Sequence, residues 1–89
     1  MTSPTFSIIS YCKGRLEYLK RALPTFVRQR DTEVVVVDYG CPDGAKDWIA
    51  SHFPTVRVAA VTDAPIFNLS RARNIGVGLA QGTWLVFCD

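Results

Sequence analysis

The chain has 89 residues, so it can build one small core and no more, since a chain of this size buries only about 60 to 65% of its unfolded surface. Hydrophobic residues at 48% and charged residues at 20% exclude disorder and fibrous repeats. A net charge of +2 is too small to indicate a nucleic-acid binder, although six of the ten basic residues lie between Lys13 and Arg30. A solvated helix face accounts for most of those six. Lys13 and Arg15, which precede the helical pattern, stand apart from it.

Taken in chain order, the segment Thr5 to Ser10 (TFSIIS) reads as a strand bounded by Pro4 and the turn-prone CKG. Leu16, Leu19, Leu23, Phe26 and Val27 then recur at helical spacing, with Glu17, Lys20, Arg21 and Arg28 on the other face. Pro24 should kink or interrupt this helix, because it lacks an N–H and its ring clashes with the preceding turn. Glu33 to Asp38 is a second strand, whose unbroken valines imply apolar contact on both faces. PDGAKDWIASHF predicts a short helix that starts near Pro42 or Asp43, packs Trp48, Ile49 and Phe53 inward and stops at Pro54; Asp43 is the natural cap. Val56 to Ala60 is a third strand, nearer an edge. Asn68 or Ser70 caps a third helix that carries Leu69, Ala72, Ile75 and Leu79, and TWLVFCD is a fourth strand entered through Gly82.

The order is βαβαβαβ, and connections of this length predict a mostly parallel sheet in a three-layer α/β fold. In such a sheet ligands bind beyond the carboxyl ends of the strands. Those ends carry Ser10, Tyr11 and Cys12 on the first strand, Asp38 and Tyr39 on the second, and Cys88 and Asp89 on the fourth. Two carboxylates at separate strand ends suit a hard divalent cation such as Mg²⁺ or Mn²⁺, which shares its shell with phosphate oxygens. Arg71 and Arg73, near the start of the third helix, suit an anion. The bland roles are a turn or helix cap for Asp38 and a surface position for each arginine.

Other motifs are set aside. Gly76, Gly78 and Gly82 imitate a dinucleotide fingerprint at the wrong spacing and before a strand, so close packing of helix on sheet is their reading. His52 has no partners for a catalytic triad and reads as a surface or partly buried residue. Three cysteines without CxxC spacing fit a reducing compartment and small buried side chains better than a zinc site. The N-terminus has no signal-peptide pattern, and no run reaches the roughly 20 apolar residues that cross a bilayer, so a cytoplasmic location is expected.

SIISYCKGRLEYLKRALP, EVVVVDYGCPDG and NLSRARNIGVGLAQGTWLVFCD together resemble the successive opening blocks of the family 2 glycosyltransferases, which have the GT-A fold. The resemblance covers almost the whole chain, and its specificity lies in the order and spacing of the blocks. It implies that residues 1–89 form a single partial domain, the nucleotide-binding, Rossmann-like N-terminal half of that fold. It further implies an inverting transfer from a nucleotide-diphosphate sugar, with UDP the expected nucleotide, to a hydroxyl acceptor.

Carried over by position, the donor contacts are Ser10, Tyr11, Cys12, Arg15, Asp38, Tyr39, Arg73 and Asp89, and Asp89 opens the DxD motif that holds Mn²⁺ or Mg²⁺. Two positions depart from the family pattern. Tyr39 stands where a second aspartate is common, which leaves stacking or a hydrogen bond in place of a carboxylate contact. SYCKGR replaces the commoner Pro-Thr-Tyr-Asn. The second DxD aspartate and the acceptor-side base are expected beyond residue 89, so the chain alone is expected to be inactive. The alternative is a non-catalytic α/β module that binds a ligand or partner, or a catalytically dead relative that keeps the fold as an interaction surface. If its edge is uncovered, TWLVF is the segment most open to aggregation.

Overall fold

A computed structural model describes residues 4–62 and 66–88. It contains β1 (Phe6–Cys12), α1 (Leu16–Val27), β2 (Thr32–Tyr39), α2 (Ala45–His52), β3 (Arg57–Val61), α3 (Leu69–Leu79) and β4 (Trp84–Phe87). The four strands form one sheet in the order β3-β2-β1-β4, and every pairing is parallel. The expected alternation and parallel sheet are therefore present.

β2 sits inside the sheet, and Val34 to Tyr39 are all buried because each face of the strand meets a different helix layer. Val34 and Val36 join Leu16, Leu19 and Leu23 of α1 and Ala45 and Ile49 of α2 in one core. Val37 and Tyr39 join Val61 and Ala72 in the other, with Tyr11 and Ile75 packed at its edge. The valine run is thus the centre of a helix–sheet–helix sandwich.

Several local expectations change. α1 runs without a break through Pro24 to Val27. The missing N–H falls in the last turn, and the fully buried Leu23 beside it holds that turn against the sheet. α2 starts at Ala45, not at Pro42 or Asp43, because Gly44 takes a left-handed conformation, φ 73°, and turns the chain into the helix. Asp43 caps no bond of α2; its Oδ2 accepts from the Leu16 N–H at the start of α1, 3.4 Å away. Ile49 is fully buried, whereas Trp48 and Phe53 are only half-buried, Trp48 stacking on the exposed His52.

Asn68 is the cap of α3, its Oδ1 accepting from the Arg71 N–H at 2.9 Å. The buried residues of α3 are Ala72 and Gly76, while Leu69 is exposed. Gly76 faces Ile9 and Val37, and a methyl group there would run into the Ile9 side chain. Close approach of α3 to the sheet therefore depends on Gly76; Gly78 has open space around it and plays no such part.

At the amino ends of the strands a polar cluster closes the α3–β4 turn. The buried Ser7 hydroxyl donates to Glu33 Oε2 and accepts from the Gly82 N–H, and Glu33 also accepts from the Gln81 N–H. Arg57 lies 3.7 Å from the other Glu33 oxygen and donates to the Leu79 carbonyl.

Candidate functional site: the cleft at the carboxyl end of the first strand

From β1 the chain steps through α1 to β2 on one side, whereas β4 pairs with β1 on the other side. The carboxyl end of β1 is therefore a topological switch point, where open α/β sheets leave a crevice. Register deepens it. β4 pairs only with Phe6 to Ile9, while β1 continues beside β2 to Cys12, so Ser10 to Cys12 extend past the end of β4.

A cleft of about 430 Å³ opens at this step. Ser10 and Tyr11 line it from the strand, and Lys13 and Arg15 from the β1–α1 connection. Tyr18, Leu19, Ala22 and Phe26 of α1 form one wall, and Phe67 and Leu69 ahead of and at the start of α3 contribute the other. No carboxylate lines the cleft among the described residues, and two cations do. Such a lining attracts an anion that also carries apolar or aromatic surface.

The other predicted residues lie around this cleft in different roles. Asp38 is buried at the end of β2, and both its oxygens are engaged: Oδ1 accepts from the Cys41 N–H at 2.8 Å and Oδ2 from the Lys46 N–H at 2.9 Å. It thereby closes the β2–α2 loop and caps α2 from outside the helix. Tyr39 is fully buried on the α3 side, and its hydroxyl has no hydrogen-bond partner among the described residues. Its ring meets Phe67 edge-on at 5.2 Å, and Phe67 in turn lies 5.3 Å from Tyr11, so Tyr39 supports the aromatic wall from behind.

Cys12 points into the α1–α2 core and lies 3.5 Å, sulfur to sulfur, from Cys41. Burial pushes its thiol up to about 12, assisted by Cys41 and Asp38 and opposed by a backbone hydrogen bond near Arg15. Arg73 is half-buried with its guanidinium 5.3 Å from the Phe87 ring, away from the lining of the cleft. Asp89 lies outside the described residues. Ser10, Tyr11 and Arg15 thus share the cleft, with Asp38, Cys12 and Tyr39 packed behind its floor.

Sequence reasoning missed Phe67. A hydrophobic residue immediately before a capping Asn is a known helix-entry signal, so the IFN triplet held the clue.

The family profile described as Glycosyl transferase family 2 matches residues 7–89. The chain belongs to glycosyl transferase family 2. It is also 33% identical, over 97% of its length, to validoxylamine A glucosyltransferases of Streptomyces hygroscopicus subsp. jinggangensis (strain 5008) and of Streptomyces hygroscopicus subsp. limoneus. It spans 22% and 20% of those two proteins, about a fifth of the curated relatives it matches. The parallel four-stranded sheet with alternating helices is the Rossmann-like amino-terminal architecture expected for a family 2 chain.

Metal binding was expected at Asp89. Among the described residues no three of His, Cys, Asp and Glu come together to hold a metal ion, and Asp89 lies outside those residues. No described helix is long and apolar enough to cross a membrane.

Proposed function

We propose that residues 1–89 form the donor-binding half of an inverting glycosyltransferase that moves a sugar from a nucleoside-diphosphate sugar to a hydroxyl acceptor. The observation that carries this reading is the cleft at the switch point, lined by Lys13 and Arg15, with Tyr11 and Phe67 beside them and no carboxylate among its described residues. Lys13 and Arg15 offset the diphosphate charge, and the Ser10 hydroxyl hydrogen-bonds the nucleoside. Tyr11 and Phe67 flank the base. Asp38 stands on the base side, where it also holds the loop, and Cys12 and Tyr39 shape the floor.

In this reading Arg73 faces the donor, and Asp89, as the first DxD aspartate, serves the ribose and the metal, through which dependence on Mg²⁺ or Mn²⁺ enters. UDP is the expected nucleotide, and the names of the relatives make glucose the first sugar to test. Inverting transfer requires a base placed against the acceptor hydroxyl. In this reading residues 1–89 supply the donor site and not that base. A cytoplasmic location fits a nucleotide-sugar user.

The test is a thermal-shift panel of UDP, GDP, CDP, ADP and inorganic pyrophosphate, with and without Mg²⁺. A rise in melting temperature with UDP that exceeds the rise with pyrophosphate supports a nucleoside-diphosphate site. Equal responses to UDP and pyrophosphate would reduce the cleft to a general anion site.

A further inference from the structure

Two thiols on different elements meet behind the floor of the cleft. Cys12 ends β1 and is 1% exposed, and Cys41 lies in the β2–α2 loop and is half-buried. Their sulfurs are 3.5 Å apart, about 1.5 Å more than a disulfide bond. Both are held by geometry that does not involve the other thiol. Cys12 is paired in register with Asp38 across β1 and β2, and the Cys41 N–H is tied to Asp38 Oδ1 at 2.8 Å. The Gly14 N–H donates to Cys41 Sγ at 3.4 Å, which links the second thiol to the β1–α1 connection that carries Lys13 and Arg15.

We propose that Cys12 and Cys41 form a dithiol modification site that closes to an internal disulfide by exchange with a low-molecular-weight disulfide such as oxidised glutathione. Cys41, the more accessible of the two, enters first. Its thiolate attacks one sulfur of oxidised glutathione, forms a mixed disulfide and releases one glutathione thiolate. Cys12 then gives up its proton and attacks Cys41 Sγ, forming the Cys12–Cys41 bond and releasing the second glutathione. Two protein thiols are oxidised, one glutathione disulfide is reduced to two thiols, and the two protons pass to the released thiolates. The buried, strongly protonated Cys12 makes the second step the slow one. Closure cross-links the end of β1 to the β2–α2 loop and removes a thiol acceptor from Gly14. The proposal stands apart from the donor-site reading, because it rests on the two sulfurs and their supports alone.

The test equilibrates the chain with graded ratios of oxidised to reduced glutathione, quenches in acid, alkylates with N-ethylmaleimide and maps the peptides by mass. The same mixtures in concentrated urea provide the unfolded reference. In the folded chain the Cys12–Cys41 pair should exceed its share in urea by roughly tenfold or more, with Cys88 recovered alkylated. The Cys88→Ser variant should give the same pair and Cys41→Ser none. A folded chain that stops at glutathionylated Cys41, or whose three possible pairings match the urea distribution, would overturn the proposal.

Discussion

Asp38 accepts a backbone N–H on each carboxylate oxygen, so its substitution acts on the loop as well as on any ligand. In Asp38→Asn an amide N–H₂ must face one of those donors, and the chain should lose about 1–3 kcal/mol of stability in urea denaturation without any nucleotide. An unchanged midpoint would show that the two bonds contribute little. Cys12 gives a second residue-scale prediction. Its thiol is raised from 9.0 to about 12 in the fold, so between these values the folded chain holds a proton that the unfolded chain has released. Stability from this residue is complete below pH 9 and declines as pH rises toward 12. Cys12→Ala should show a shallower decline in that window. VVVVDYG disclosed that a buried strand delivers a carboxylate to the sheet's edge. Its partners Cys41 and Lys46 were not legible, because left-handed turns at Gly40 and Gly44 bring their N–H groups back to it.

Among the elements, α3 shows most clearly what periodicity can and cannot disclose. Its cap at Asn68 was legible from residue type, because a side-chain oxygen there satisfies a free N–H. Its buried face was legible in part: Ala72 and the close approach at Gly76 were readable from residue type, whereas Leu69, which the amphipathic pattern counts with them, is exposed. Two substitutions in one helix separate the causes. Gly76→Ala should destabilise by about 1–3 kcal/mol, since the new methyl meets Ile9. Gly78→Ala, with nothing nearby, should stabilise by about 0.5–1 kcal/mol by restricting the unfolded chain. Opposite signs in thermal denaturation are the expected result. α1 teaches the reverse lesson: local chemistry predicts an interruption at Pro24, yet the helix runs through it with Leu19 and Leu23 buried on either side of the preceding turn.

At the scale of the whole molecule, the sheet order places the cleft, and the same order makes β4 an edge among the described strands. All four residues of β4 are at least 40% exposed, Trp84 most of all. A flat apolar edge of this kind pairs with other chains, so the isolated chain should associate with rising concentration in sedimentation, and Val86→Lys should weaken that association. The alternation of strands and helices was fully legible from the switching periods. The step between β1 and β4 that creates the cleft was not, because it depends on which strand β4 joins.

The central claim is that this step binds a nucleoside diphosphate, and an amide NMR titration of the chain with UDP, with and without Mg²⁺, tests it most directly. The account predicts saturable shifts at Ser10, Tyr11, Arg15 and Phe67, with smaller movements at Asp38 and Tyr39 behind them. Shifts confined to other surfaces, or a folded spectrum indifferent to UDP in both conditions, would contradict it.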